Sequence, residues 1–194
     1  LVYYGTGNPA PYNADRRPGD NRWATSVLAR HPGDGSLRWA YQFTPADNWD
    51  YDSTQEMILT ELTLGGRLRR VLVHFDKNGF AYTIDRATGR VLVAQKFGHV
   101  TWADRVALGN GKPIVNPGVR PTEGNITTTI CPSPLGMKEF VPSSYSPATG
   151  LFYVPAINFC NNSLRFGRAE EPDPRRELIP LKPIIQEVGD GLGL

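Results

Sequence analysis

The chain has 194 residues, enough for one domain with a sizeable core, and its 17 prolines and 20 glycines point to many turns rather than long helices. Eight Tyr, eight Phe and four Trp favour sheet. A net charge of only +2, with no basic run interleaved with aromatics, argues against a nucleic-acid surface. No apolar run approaches the roughly 20 residues of a membrane helix, and no signal-peptide pattern opens the chain.

Taken in order, residues 1–5 read as a strand, followed by a polar loop over 8–21 rich in Pro, Asn and Asp. Leu1 reads as the middle of that strand and the last six residues carry no closing element, so the chain is expected to be a fragment of something longer. Residues 24–29 and 37–43 are strands about the turn His31-Pro-Gly-Asp-Gly35. Residues 71–75 and 81–85 are strands joined by Asp76-Lys77-Asn78-Gly79, whose Asn-Gly pair is a strong hairpin signal. Arg86-Ala-Thr-Gly89 then turns into 91–95. The stretch 102–129 reads as a long polar loop between strands. Tyr145-Ser-Pro-Ala-Thr-Gly150 turns into a strand over 151–155, and 165–194 reads as a charged, proline-rich, loop-like extension, with Glu170 to Arg176 on its solvated surface.

Three of these turns repeat one pattern of strand, Gly-containing turn and strand, about 55 to 60 residues apart. Such spacing suits four-stranded propeller blades with variable loops, because one blade cannot bury both faces and must stack on its neighbours. The expectation is an all-β fold, a partial β-propeller of about three blades occupying the whole chain as one domain.

Candidate chemistry concentrates in Trp49-Asp50-Tyr51-Asp52 and Gly5-Thr6-Gly7-Asn8-Pro9. Two carboxylates one residue apart, with an amide held in a Gly-rich turn, make an oxygen-only donor set suited to a hard cation. The plainer reading is that both aspartates cap a turn and Asn8 fills a left-handed position. Lys77 sits at a hairpin turn, where lysine is ordinarily solvated. Trp49 and Trp102 read as core or pocket-wall aromatics, and His74, within a strand, as a hydrogen-bonded core residue. Cys131 and Cys160 could close a disulfide or remain two buried thiols; without a CxxC motif or a Cys/His cluster, structural zinc is disfavoured.

Five motifs then fall in one order: Gly5-Thr-Gly-Asn-Pro-Ala-Pro-Tyr-Asn13, Arg17-Pro-Gly-Asp-Asn-Arg-Trp23, Trp39-Ala-Tyr-Gln42, Thr44-Pro-x-Asp-x-Trp-Asp50 and His74-Phe-Asp-Lys-Asn-Gly-Phe80. That order closely resembles the pyrroloquinoline-quinone-dependent (PQQ) alcohol dehydrogenases, the methanol/ethanol dehydrogenase family of eight-bladed quinoproteins, over roughly the first 160 residues. The resemblance implies oxidation of a primary alcohol to an aldehyde with metal-assisted hydride transfer to PQQ. Within it, Asn8, Asp50 and Asp52 match metal ligands, and Asp50 also matches the general base. Asp52 matches the extra carboxylate of the lanthanide-dependent branch, calcium being the alternative ion. Lys77 matches the cation beside the quinone, and Glu139 stands near a position close to the quinone where family members often carry asparagine or an acid. Cys131 and Cys160 match a structural disulfide. The resemblance further implies a c-type cytochrome as electron acceptor, a periplasmic location and a homodimeric full-length protein. It places a glutamate ligand, a vicinal disulfide and a tryptophan floor outside this segment, so the chain alone is not expected to be active. The competing reading is a non-catalytic propeller scaffold, against which the joint presence of Asn8, Asp50, Asp52 and Lys77 speaks.

Overall fold

Turn chemistry and alternating burial set the strand pairings in the computed structural model, which describes residues 1–164. The first sheet is three-stranded and antiparallel, with β1 (Val2–Gly5), β2 (Ser26–Arg30) and β3 (Leu37–Gln42) in that spatial order. The second is a four-stranded meander of β4 (Met57–Leu64), β5 (Arg67–Phe75), β6 (Phe80–Asp85) and β7 (Val91–Lys96). Along β6, Phe80, Tyr82 and Ile84 are buried and the residues between them less so, the period-two signature of a strand with one face on the core. After the meander, β8 (Ala103–Ala107) pairs with β9 (Lys112–Val115). Two further pairs follow: β10 (Ile126–Ile130) with β13 (Asn161–Leu164), and β11 (Ser144–Ser146) with β12 (Leu151–Tyr153).

This is the expected all-β architecture: the meander forms one whole blade, with incomplete sheets on either side of it in sequence. The stretch 102–129, however, is not a loop, because it holds the β8–β9 hairpin, a 3-10 turn at Pro117–Val119 and most of β10. Its strands are short, and with Thr127 buried while Ile114 and Ile126 are exposed they show no clean apolar alternation. Strands β4 and β13 are likewise unforeseen, and β5 begins four residues earlier than expected. Interspersed Thr, Glu and Arg conceal the outer half of the β4–β5 hairpin, whose turn is made by Gly65 and Gly66. The strand expected over 151–155 stops at Tyr153. The extension expected over 165–194 lies outside the described residues.

One apolar cluster joins the sheets, running from Val27, Ala29, Trp39 and Phe43 through Leu72, Tyr82 and Ile84 to Trp49, Tyr51, Trp102 and Ile130. The first sheet is fastened to the meander at one carbonyl, that of Arg86, which accepts from Tyr3 Oη at 3.0 Å and Trp39 Nε1 at 3.2 Å. Gly89, in the same turn, has φ +75° and sits so close to Trp39 that a Cβ there would lie 2.6 Å from the indole. Glycine meets both demands, the left-handed backbone and the close approach.

Deeper in, Trp49, Tyr51 and Trp102 pack with ring centroids 5.1–5.9 Å apart. Each directs its polar atom to a distant carbonyl: Trp49 Nε1 to Val119 O at 2.9 Å, Tyr51 Oη to Pro132 O at 2.6 Å and Trp102 Nε1 to Asn78 O at 2.7 Å. Buried aromatics thus combine a large apolar area with satisfied polar atoms. Cys131 and Cys160 form a disulfide, closing the alternatives left open by the sequence.

Trp102 is fully buried and fixes the Lys77 hairpin through Asn78. Trp102→Ala is expected to cost about 3–5 kcal/mol, read as a lowered urea midpoint. Trp102→Phe is expected to cost less, because it keeps most of the packing and loses the single donation.

Candidate functional site

The segment between β3 and β4 turns on Asp47. Its buried carboxylate accepts from Trp49 N at 3.2 Å and Tyr51 N at 3.3 Å, while its carbonyl takes Arg17 Nη2 at 2.7 Å. Asp50 adopts φ +72°, a left-handed conformation that costs a residue bearing a Cβ about 1–2 kcal/mol, though Asp tolerates it better than most. The result is a sorting of alternate side chains. Trp49 and Tyr51 go into the core, 2% and 0% exposed, and Asp50 and Asp52 face outward with side chains 33% and 26% exposed.

Between β5 and β6, Asp76 Oδ1 accepts from Asn78 N at 2.9 Å, and Asn78 Nδ2 reaches Thr44 Oγ1 and Tyr82 Oη, each at 3.1 Å. His74 is fully buried, with Nδ1 3.2 Å from Glu56 O and Nε2 3.1 Å from Asp76 Oδ2, as expected of a hydrogen-bonded core histidine. This rigid hairpin carries Lys77, which is not the solvated turn residue of the plainer reading but 4% exposed. Its ammonium lies 2.9 Å from Asp52 Oδ2, 3.1 Å from Glu139 Oε1 and 3.7 Å from Asp50 Oδ2. Asn8 joins through its backbone: its N–H donates to Asp52 Oδ1 at 2.8 Å, and the residue itself is exposed. All five sequence-proposed site residues therefore come together at one place.

A strap over residues 133–143 closes one side. Gly136, at φ +70s values that only glycine adopts freely (φ +75°), lies against Lys77, where a Cβ would be 2.1 Å from Lys77 Cγ. Met137 N donates to Lys77 O at 2.9 Å. Lys138 is fully buried, and its ammonium donates to Glu56 Oε2 at 3.0 Å, Glu139 O at 2.9 Å and Val141 O at 2.5 Å. Ser143 N donates to Glu56 Oε1 at 2.6 Å. Sequence reasoning missed Glu56 and Lys138, which lie 82 positions apart and carry no local signal.

Charge explains the pKa directions. Burial works to lower that of Lys77, but the hydrogen bond and charge of Asp52, then Asp50 and Glu139, outweigh it and raise it. For Asp50, burial raises the pKa, Lys77 lowers it and Asp52 raises it again, with a net rise from its ordinary value. For Glu56, the upward push of burial is overcome by Lys138 and Ser143, and the pKa falls. Asp47 is pushed by burial to about 6, against the two backbone donors.

Three carboxylates facing one ammonium leave two negative charges in excess. Carboxylate oxygens are the donors a hard cation takes, and Asn8 adjoins them through its backbone N–H on Asp52. Elsewhere, His99 lies with Cys131 and Cys160 so that their candidate ligand atoms fall within 4.8 Å, but the two sulfurs are bonded to each other and do not serve as thiolate ligands.

Residues 1–106 match the family model described as the PQQ glucose/ethanol/alcohol dehydrogenase β-propeller domain. The chain is 49% identical to a lanthanide-dependent methanol dehydrogenase of Methylacidiphilum fumariolicum, over 84% of this chain and 27% of that protein. It is 48% identical to a lanthanide-dependent methanol dehydrogenase of Methylorubrum extorquens, over 82% of this chain and 28% of that protein. Among solved structures, a europium-containing methanol dehydrogenase superposes with a TM-score of 0.83 at 48% identity, covering 85% of this chain and 29% of that one. The chain thus spans little more than a quarter of the length of these relatives.

The Asp47 carboxyl has a folded pKa raised above its unfolded value, so it favours folding most below about pH 4 and loses that contribution as pH rises through about 6. Asp47→Asn is expected to flatten this part of the stability–pH curve, removing a slope worth about 2–3 kcal/mol. Urea denaturation of both proteins at pH 4 to 7 measures it.

Proposed function

The chain belongs to the family of PQQ-dependent alcohol dehydrogenase β-propellers, and on that premise we propose that it forms the metal-binding side of a quinoprotein active site that oxidises a primary alcohol to an aldehyde. The observation carrying this reading is the buried Lys77 ammonium set among Asp50, Asp52 and Glu139. In an ordinary turn lysine is solvated, and a propeller scaffold has no use for this concentration of charge.

In this reading Asn8, Asp50 and Asp52 hold the cation, and Lys77 and Glu139 face the cofactor. When bound, the cation would polarise a quinone carbonyl as a Lewis acid and the quinone would accept hydride from the alcohol carbon. Asp50 takes the hydroxyl proton. A cation beside it would favour its ionised form, against the upward push that burial gives its pKa. Lys77 provides a fixed positive charge in a largely water-excluded position, where it stabilises developing negative charge without reorganisation. Asp52 adds the negative charge that favours a trivalent lanthanide over calcium, since Coulomb attraction scales with ionic charge. Further groups that complete the family's site are not among the residues assigned here, and the chain alone is proposed to be inactive.

A c-type cytochrome as electron acceptor and a periplasmic location belong to the same proposal; the Cys131–Cys160 disulfide is consistent with an oxidising compartment. Among the described residues no helix is long and apolar enough to cross a membrane.

Two experiments test the proposal. Calorimetric titration of the chain with lanthanum and calcium is expected to show preference for lanthanum, with Asp52→Ala weakening lanthanum sharply and sparing calcium; equal losses sink the lanthanide assignment. A hybrid in which this chain replaces the matching segment of the Methylacidiphilum relative is expected to reduce dye with alcohol when given PQQ and lanthanum. Asp50→Asn in that hybrid is expected to lower kcat by about 10²–10⁴, as for loss of a general base. A folded hybrid that binds neither metal nor quinone supports a scaffold instead.

A further inference from the structure

Lys77 presents a difficulty for any cation that takes Asp50 and Asp52. Its ammonium is held mainly by Asp52 Oδ2 at 2.9 Å, and its side chain is 5% exposed. A cation drawing on both aspartates competes for that oxygen, and a buried ammonium stripped of its partner is strongly disfavoured. The structure contains an alternative partner already in place, Glu139 Oε1 at 3.1 Å.

That partner is held by groups outside the site. Glu139 follows Lys138, whose fully buried ammonium bonds the Glu139 carbonyl at 2.9 Å and Glu56 Oε2 at 3.0 Å. The other Glu56 oxygen takes Ser143 N at 2.6 Å, so one carboxylate pins both ends of the segment 138–143. Glu56 in turn adjoins the Lys77 hairpin, its carbonyl lying 3.2 Å from His74 Nδ1. The Lys138–Glu56 pair therefore ties the Glu139 backbone to the hairpin that bears Lys77.

Building on the metal-site reading above, we propose that Glu139 selects for cation charge by serving as the counter-ion to which Lys77 turns when a metal takes Asp50 and Asp52, and that the buried Lys138–Glu56 pair is the positioning device that keeps it there. With Lys77 neutralised by Glu139, both aspartates present their full charge to the cation. Without Glu139, Lys77 continues to compete for Asp52 and repels the incoming ion in proportion to that ion's charge.

Zero-length carbodiimide crosslinking with mass spectrometry reads the partner of Lys77 directly, and terbium luminescence reads metal occupancy separately. In the chain without metal, Lys77 is expected to couple to both Asp52 and Glu139; with lanthanum present, the product is expected to move to Lys77–Glu139. Glu139→Gln is expected to weaken lanthanum on the order of tenfold or more, with a logarithmic loss about one and a half times that for calcium, following the charge ratio. Glu139 is a third exposed, so this variant places little burden on folding. In Lys138→Met/Glu56→Gln, which removes both buried charges together, the Lys77–Glu139 product is expected to disappear. A folded double variant that keeps it overturns the positioning role. Terbium binding with an unchanged crosslink pattern, or equal losses for the two ions in Glu139→Gln, overturns the inference while leaving the metal reading intact. No terbium binding by the unaltered chain overturns both.

Discussion

The organising constraint of this structure is a positive charge that is almost out of reach of water. Once the Lys77 ammonium is buried, carboxylates must be delivered to it from elsewhere, and the chain delivers three from two separate segments. Each delivery needs its own scaffolding: the Asp47-centred turn for Asp50 and Asp52, and the strap over 133–143 for Glu139. The aromatic core below is built to support these two parts. Trp49 and Tyr51 anchor the first, Trp102 anchors the hairpin under Lys77, and Tyr51 reaches the start of the strap through Pro132.

This arrangement also shows how a sheet protein makes a polar site without giving up its core. The charged residues occupy connections between strands, where backbone geometry is unrestricted, while the strands bury apolar side chains. Asp50 marks the boundary. Its left-handed backbone lies in the connection beyond β3, and there a carboxylate stands between two buried rings.

Much of this was legible in the sequence, and the omissions have physical causes. Asn8, Asp50 and Lys77 stand in motifs whose order can be read, Asp52 follows one of them by two residues, and Glu139 is singled out only by its place near a quinone-contacting position of the resembled family; the Asn-Gly hairpin and the Gly89 turn are legible from local chemistry. Lys77 was misread by its surroundings alone, because hairpin turns normally point lysine into solvent and nothing nearby in sequence announces the strap that covers it. Lys138 and Glu56 were invisible for the same reason: neither stands in a pattern, and only folding brings them together. Strands β8 and β9 were lost because short, half-exposed strands carry too few apolar positions to display a period.

The contacts that define the site span long stretches of chain: 44 positions from Asn8 to Asp52, 81 from Tyr51 to Pro132 and 82 from Lys138 to Glu56. Closing loops of that size is entropically costly, and only the two longer contacts, Tyr51 to Pro132 and Lys138 to Glu56, span the meander that brings their ends together. The hairpins, with neighbours a few residues apart, carry a much smaller closure cost than the charged centre. Lys77 follows Asp50 and Asp52 in the chain and precedes Glu139, so its two earlier carboxylates and its later one arrive from opposite sides. Burial of the charge thus depends on a segment remote in sequence, the strap that lays Gly136 and Met137 against Lys77.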